Sequence, residues 1–317
     1  MPPGIILLLL VAAVLHAAWN VLLKTADDPL RTAGRGMLVG AGFLIPIALI
    51  GWLVTGRPAI PDGAWQLSIL SGILEAAYFV FLSAAYRRGD LSLVYPIARG
   101  TAPVLSVAVG VIVLGERLEP PGWIGVGLLL AGILALQKPW AVFRRSSQMP
   151  RHVREAAAFA LLTGVTITAY SAVDRDGARL IDPLFYAAML WTFGSIFLLS
   201  WIGLVVRRDR KRAAGTEVTV AAAEVPRPGL VGRLLSGRWT RAGIGGLITV
   251  AAYLFVLVAY RYAPLTAVAP LRESAIVIVS GWGSFRLKEA RGRRDATIRM
   301  GVAVIVVIGA VLLATEG

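Results

Sequence analysis

The sequence predicts an all-α polytopic membrane protein with ten transmembrane helices, arranged as two inverted five-helix repeats. Two observations carry this prediction, the apolar composition and an internal repeat. Hydrophobic residues make up 57% of the 317 residues, charged residues make up 16%, and the mean hydropathy is +0.74. Soluble domains are usually about 25% charged and about 45–50% apolar. A soluble chain of this length could not bury so much apolar surface.

Ten apolar segments are long enough to cross a bilayer, whose core of about 30 Å needs about 20 helical residues. They cover roughly residues 4–23, 33–54, 66–86, 91–114, 121–137, 155–173, 183–206, 243–262, 264–285 and 298–314. The fifth and sixth segments are the weakest candidates because they are short. The long polar segment 207–241 opens with six charged residues in a row and is expected to be poorly ordered.

The distribution of cationic residues predicts the orientation of these spans. Of the 32 Lys and Arg residues, 25 lie in or next to the connectors that follow odd-numbered spans, and 5 lie in or next to the others. Cytoplasmic connectors are the ones enriched in Lys and Arg. The count therefore places the connectors after odd-numbered spans in the cytoplasm and both termini outside it.

An internal repeat divides the chain into two halves. A shift of 174 residues aligns positions 77–96 with 251–270 and gives eight identities. They are Ala77/Ala251, Phe81/Phe255, Ala85/Ala259, Tyr86/Tyr260, Arg87/Arg261, Leu91/Leu265, Val94/Val268 and Pro96/Pro270. We expect a first repeat at 1–137, a connector at 138–154 and a second repeat at 155–317.

Each half contains five spans, an odd number, so the second half enters the membrane from the opposite side. Inverted repeats are typical of secondary transporters, which bind substrate near mid-membrane where the repeats meet. A duplicated structural bundle without a pore is the alternative.

Five ionisable residues stand out at membrane depth within the predicted spans, where a charge costs about 3 kcal/mol and persists only beside a cavity or a partner. They are His16, Glu75, Arg99, Arg272 and Glu273. His16 and Asn20 lie on one face of span 1, with Trp19 beside them. Glu75 and Tyr78 share a face of span 3. For each of these, helix packing is the alternative to a functional role.

Span 4 contains a proline, a charge and a glycine in close succession. Pro96 removes a backbone donor and should kink the helix, while Gly100 lets another backbone approach. Under the shift of 174, Arg99 coincides with Glu273, so opposite charges can pair near the axis that relates the repeats. Such a pair is the structural alternative to substrate binding by Arg99.

Several classes of function are disfavoured by the composition. The chain has no Cys, which excludes disulfide scaffolds, zinc ribbons and cysteine nucleophiles. The net charge of +14 comes from short clusters between apolar runs, a pattern typical of loops at an anionic membrane surface, so no nucleic-acid partner is predicted. No metal or cofactor motif is visible. The run 174–179 is weakly similar to lipid phosphotransferase motifs but lacks their downstream Asp pair.

Three stretches together resemble the EamA family of the drug/metabolite transporter superfamily, and the likeness covers nearly the whole chain. They are His16-Ala17-Ala18-Trp19-Asn20, Tyr95-Pro96-Ile97-Ala98-Arg99-Gly100 and Leu114-Gly115-Glu116-Arg117. The second copy of the last stretch keeps Glu289 but not the preceding Gly. Glu116 and Glu289 end their spans and are expected first as cap or loop partners.

The resemblance implies a basket of helices around a central cavity, formed mainly by spans 3, 4, 8 and 9. It also implies transport of small metabolites, often amino acids and frequently outward. Members often have cytoplasmic termini, the opposite of what the cationic count predicts here. We expect a secondary-active transporter in the inner (plasma) membrane, without direct use of ATP and with proton or exchange coupling through Glu75 or Glu273. An integral-membrane lipid-modifying enzyme and a non-transporting structural protein are the alternatives.

The charges nearest mid-membrane, those of Glu75, Arg99, Arg272 and Glu273, balance when all are ionised, which suits a zwitterion such as an amino acid. Arg99 is expected to hold the anionic end through two parallel hydrogen bonds. The predicted substrate-binding residues are Arg99, Glu75, Tyr78, Tyr95, Arg272, Glu273, His16, Trp19, Asn20 and Tyr253. The three tyrosines among them are expected to shape the apolar part of the pocket.

The orientation gives a first testable prediction. A cysteine in place of Thr216, in this Cys-free chain, should stay unlabelled when an impermeant thiol reagent is applied to intact cells, because the connector 207–241 is expected in the cytoplasm. The same reagent should label the variant after the membrane is permeabilised. Labelling of intact cells would reverse the predicted orientation.

Overall fold

A computed structural model describes residues 1–89, 91–137, 150–214, 237–273, 301–302, 304–306 and 308–312. Within this part of the chain the regular structure is helical. The helices are α1 Pro3–Lys24, α2 Pro29–Val54, α3 Asp62–Tyr86, α4 Leu91–Ile112, α5 Pro120–Gln137, α6 Arg151–Leu180, α7 Pro183–Ala214, α8 Gly237–Tyr262 and α9 Leu265–Glu273. The described residues between 301 and 312 are also helical.

Seven of the described helices are long and apolar enough to cross a membrane, and the chain is a multi-pass membrane protein. They are α1 to α4 and α6 to α8, which correspond to predicted spans 1–4 and 6–8. The fifth predicted span forms α5, whose apolar run Pro120–Ala135 is shorter than the others. The ninth and tenth predicted spans continue into residues that lie outside the described part.

Several helices extend beyond the bounds predicted from hydropathy. α6 begins at Arg151, inside the predicted connector 138–154, and ends at Leu180, although the sixth span was predicted to end at 173. α7 and α8 take up positions 207–214 and 237–241 of the predicted loop 207–241. The physical reason is that a hydropathy window detects only the segment inside the hydrocarbon core. The helices continue through terminal turns with charged side chains, whose head groups reach water or polar partners.

The helices α2 and α7 begin with the same local signal. Asp28 precedes Pro29 and accepts a hydrogen bond of 3.1 Å from the backbone N–H of Arg31, which caps α2. Asp182 precedes Pro183 and accepts a bond of 2.9 Å from the N–H two residues later, at the start of α7. Aspartate satisfies free N–H groups at a helix start, and proline at the first position has no N–H to lose.

The helix contacts follow a pattern that relates α1–α4 to α6–α9. α3 packs against α6 and α7, while α8 packs against α1 and α2. α4 contacts α6, and α9 contacts α1. α2 packs against α7, and α4 packs against α9. If α1, α2, α3 and α4 are exchanged with α6, α7, α8 and α9 in that order, each of these contacts becomes another one of them or stays the same contact.

Two crossings between the sets bring backbones into direct contact at glycines. Where α2 crosses α8, a Cβ atom on Gly246 would overlap the carbonyl oxygen of Gly36. Where α3 crosses α7, a Cβ atom on Gly72 would lie 2.7 Å from the backbone nitrogen of Gly194. Small residues permit such approach of membrane helices. Gly72 and Gly246 are also separated by the repeat shift of 174.

These crossings should be intolerant of a single methyl group. We expect Gly246→Ala and Gly72→Ala to destabilise the protein by about 1–3 kcal/mol, because the new atom meets backbone that cannot rotate away. Gly42→Ala on α2 is the matched control, since open space surrounds that position. The measurement is the midpoint of thermal unfolding in detergent. Equal midpoints for Gly246→Ala and Gly42→Ala would contradict a tight crossing.

Candidate functional site

Five buried charged residues gather in the interior, where helices from both sets meet. This central charged cluster consists of Glu75 on α3, Arg99 on α4, Asp174 on α6, and Arg272 and Glu273 on α9, none of them more than 7% exposed. Charges at membrane depth are stable only beside partners or a cavity. The cluster is therefore the place where polar chemistry can occur inside the membrane.

One carboxylate oxygen serves both arginines of the cluster. Arg99 Nη1 lies 2.8 Å from Glu273 Oε1, and Arg272 Nη2 lies 3.3 Å from the same oxygen. The pairing predicted for Arg99 and Glu273 is thus present. Arg99 Nη2 and Arg272 Nε and Nη1 are buried and have no hydrogen-bond partner in the described part of the chain. These spare N–H groups are free to bind an anion.

Glu75 is the least engaged acid of the cluster. Its carboxylate is within electrostatic range of Asp174 and Arg272. Among the described residues it forms no ion pair, unlike Glu273. Tyr78, on the same face of α3 as predicted, has a buried hydroxyl that also finds no hydrogen-bond partner there. Glu75 and Tyr78 thus keep polar atoms available in the interior.

Asp174 is a site residue that the sequence analysis missed. Tyr186 donates a hydrogen bond of 2.8 Å to its Oδ1, and Tyr253 donates one to its Oδ2. The residue was placed in a connector because charged neighbours follow it, but α6 continues through these charges and buries it completely. Tyr253 was expected to shape the apolar part of the pocket, and its hydroxyl in addition donates a hydrogen bond to Asp174. The four-residue spacing from Tyr170 to Asp174 could have indicated a shared helix face.

Aromatic rings line the interior next to the charges, in corresponding positions of the two halves. Trp19 and Phe79 meet edge to face at 6.4 Å between ring centroids, and Tyr170 and Tyr253 meet in the same way at 5.9 Å. Tyr78 lies between the pairs, 5.9 Å from Tyr170. The first pair carries no hydroxyl, whereas both rings of the second do. The aromatic wall is therefore polar on the side of the second half.

The remaining predicted residues differ in what they contribute. Trp19 Nε1 and His16 Nε2 are buried without a hydrogen-bond partner among described residues. Tyr95 places its ring 6.0 Å from the Arg99 guanidinium, a cation–π contact. Asn20 is different, because its amide donates a 2.7 Å bond to the His16 carbonyl within α1. That donor serves its own helix and not the cluster.

Glu116 joins three helices on one side of the cluster. Its Oε1 and Oε2 accept hydrogen bonds from the backbone N–H groups of Leu265 and Thr266, at 2.8 and 2.9 Å, and so cap α9. Arg175 Nε on α6 lies 2.8 Å from Oε1. We call these four residues the Glu116 junction. The expected capping role is confirmed for Glu116, while Glu289 lies outside the described residues.

The surrounding backbone lets Glu116 reach α9. Gly115 has a φ of +63°, a conformation that glycine adopts readily, and it turns the chain after α4. A Cβ atom on Gly110 would lie 2.6 Å from Glu116 Oε2. On the next turn of α6, Arg179 donates to the carbonyls of Tyr260 at 2.7 Å and Ala263 at 3.1 Å. The ends of α4, α6 and α8 and the start of α9 are therefore held together.

A separate cavity of about 530 Å³ lies between α2, α3 and α7. Apolar side chains dominate its lining, among them Trp52, Trp65 and Phe185, and it includes no member of the charged cluster. Leu49 and Trp65 of this lining are half exposed on the outer surface. The cavity therefore opens toward the lipid side and not toward the cluster.

Comparison with known proteins identifies a family to which the first part of the chain is similar. Residues 3–137 match the EamA-like transporter family, so the resemblance of the motifs is confirmed there. The spermidine export proteins MdtI of Salmonella paratyphi B and Salmonella newport are 41% identical to this chain over 69 residues, which are 22% of it. The chain spans 63% of the length of these relatives. A solved crystal structure aligns over 99% of both chains, with a TM-score of 0.65 and 17% identity, which shows a shared fold.

The Glu116 junction should stabilise the fold measurably. We expect Glu116→Ala to cost about 1–2 kcal/mol, because two N–H groups of α9 lose their cap and Arg175 loses its partner. Glu119→Ala, at an exposed position three residues later, is the control and should leave stability unchanged. Thermal unfolding in detergent compares the two. A Glu116→Ala variant as stable as the control would show that the cap is dispensable.

Proposed function

Because residues 3–137 match the EamA-like transporters, we propose that the chain is a secondary-active transporter of small charged metabolites in the inner (plasma) membrane. The proposed architecture is a pair of inverted five-helix repeats, with boundaries at 137 and 155. The exchange pattern of the helix contacts and the matched glycine crossings support it. So does the repeated Asp-Pro start of α2 and α7.

The observation that carries the proposal is the set of spare donors in the central charged cluster. Buried polar atoms are nearly always hydrogen-bonded, so each exception asks for an explanation. Arg99 keeps one such nitrogen and Arg272 keeps two. A transported ligand that binds and leaves explains why these atoms have no partner in the described part of the chain. A purely structural bundle would pair them.

The proposed substrate is a zwitterion such as an amino acid. Its carboxylate would bind the spare N–H groups of Arg99 and Arg272, since guanidinium nitrogens and carboxylate oxygens form strong charge-assisted hydrogen bonds. Its ammonium group would face Glu75, because Glu273 is already shared by two arginines. The rings of Tyr78, Trp19 and Tyr95 supply the less polar part of the pocket.

A polyamine is the second candidate substrate. The relatives named above are spermidine export proteins, and the cluster holds more carboxylates than guanidiniums.

For either substrate, coupling would use Glu75 and not Glu273. Glu75 lacks an ion-pair partner among described residues and could exchange a proton, whereas Glu273 neutralises two guanidiniums.

Transport into proteoliposomes tests the proposal. The probes are labelled L-amino acids and labelled spermidine, and a lipid-modifying enzyme would move neither. We expect Arg99→Lys to lower the transport rate by about tenfold or more, because an ammonium keeps the charge but cannot reproduce the guanidinium geometry. Arg88→Lys, which affects a half-exposed ion pair with Glu155, is the control.

The charge swap separates binding from pairing. A protein with Arg99→Glu and Glu273→Arg together should reach the membrane, since the pair is retained, but should transport poorly. Recovery of full transport by the swap, or full transport by Arg99→Lys at equal membrane abundance, would reassign Arg99 to helix pairing alone.

A further inference from the structure

The central charged cluster carries one negative charge more than it balances. It has three carboxylates and two guanidiniums, and Glu273 is the carboxylate in contact with both guanidiniums. The excess therefore lies with Glu75 on α3 and Asp174 on α6. Arg272 is within electrostatic range of both acids, but its shortest charge contact is with Glu273. An uncompensated buried carboxylate is costly, so each of these acids needs either a bound proton or a positive charge beside it.

Asp174 keeps acceptor capacity that its hydrogen bonds from the two tyrosines do not use. An ionised carboxylate offers about four lone-pair sites. Tyr186 and Tyr253 occupy one on each oxygen. These two hydroxyls orient the group and stabilise its charge, yet neither brings a positive charge. The remaining lone pairs can coordinate a cation.

Three fully buried hydroxyl groups, those of Ser71, Ser171 and Tyr260, lie near the same acid and form no well-aligned hydrogen bond among the described residues. Ser71 lies beside Asp174 and one helical turn before Glu75. Ser171 lies three residues before Asp174 on α6, next to Tyr260 of α8. All three side chains are completely shielded from bulk solvent. Their oxygens and the two carboxylates together form an oxygen-lined compartment between α3, α6 and α8.

We propose that this compartment binds a monovalent cation, either an alkali ion or a protonated amine of the substrate. Hard cations prefer oxygen ligands, and transporters hold coupling ions near mid-membrane. A single positive charge would neutralise the cluster when both acids are ionised, and the hydroxyl oxygens near Asp174 would supply further ligands. The role of the cation in transport rests on the proposed function, whereas its binding does not.

The corresponding positions of the first half do not offer the same ligands. Under the shift of 151 that relates Trp19 to Tyr170, Asp174 corresponds to Leu23. Under the shift of 174, Tyr253 corresponds to Phe79. The compartment is therefore specific to the second half and does not follow from the repeat itself.

Cation-dependent stabilisation of the purified full chain in detergent tests the proposal. The melting temperature is measured in choline chloride, and then with NaCl, LiCl, KCl, methylammonium chloride or spermidine hydrochloride replacing it at equal ionic strength. We expect at least one small cation to raise the melting temperature by about 2–4 °C at saturation. Asp174→Asn should abolish the shift. Glu155→Gln, at the exposed start of the same helix, should keep it.

The outcomes separate the two sources of the cation. A shift with an alkali ion assigns the compartment to an ion, and a shift with amines alone assigns it to the substrate amine. If Asp174→Asn does not fold, Ser71→Ala and Ser171→Ala serve in its place because they are smaller changes. Each should weaken the apparent affinity for the cation about tenfold. No shift with any cation, or shifts that all of these variants retain, would overturn the proposal.

Transport measured on the same preparations keeps the two proposals apart. Cation binding without transport of any probe would refute the proposed function and leave the compartment standing. Transport that persists without cation-dependent stabilisation would refute the compartment alone.

Discussion

A charge in a hydrocarbon environment must be held by an opposite charge, and one oxygen of Glu273 does this for two arginines. The contact with Arg99 ties α4 to α9, and therefore ties the first set of helices to the second. α9 begins only eight residues before Glu273, and the Glu116 junction fixes that beginning. The position of the buried charges thus depends on a cap formed from the end of α4. The glycine crossings hold α8 against α2 and α3 against α7.

The cluster has two chemically different ends. On the side of α4 and α9, arginine nitrogens have no hydrogen-bond partner among the residues that the structure describes, and the same holds for the indole and imidazole nitrogens of α1. On the side of α3 and α6, the free groups are carboxylate and hydroxyl oxygens. A ligand with an anionic and a cationic group would satisfy both ends at once. The lipid-facing cavity between α2, α3 and α7 offers no comparable set of polar groups.

The repeat explains which parts of the site could be predicted. Pairing of Arg99 with Glu273 could be foreseen as the alternative to substrate binding because a shift of 174 superposes them, and Glu116 was expected as a cap or loop partner because it ends a span. Asp174 escaped because it opens a run of charged residues, and hydropathy assigns such runs to connectors. Its charge is stabilised by hydrogen bonds from Tyr186 and Tyr253, and these contacts depend on tertiary packing that a local sequence pattern does not reveal. For the same reason, the local bond of Asn20 could not be told from an interhelical one.

The pair of Arg99 and Glu273 has a consequence for how such a protein can be assembled. Two identical subunits related by a two-fold axis would place the same residue on both sides of it, so an arginine would face an arginine. Every charge near the axis would also occur an even number of times. A single chain that carries both copies escapes this restriction: equivalent positions can hold opposite charges, and the buried total can be odd. Joining the halves covalently therefore makes possible a binding site that distinguishes one end of its ligand from the other, which a homodimer cannot build at its symmetry axis.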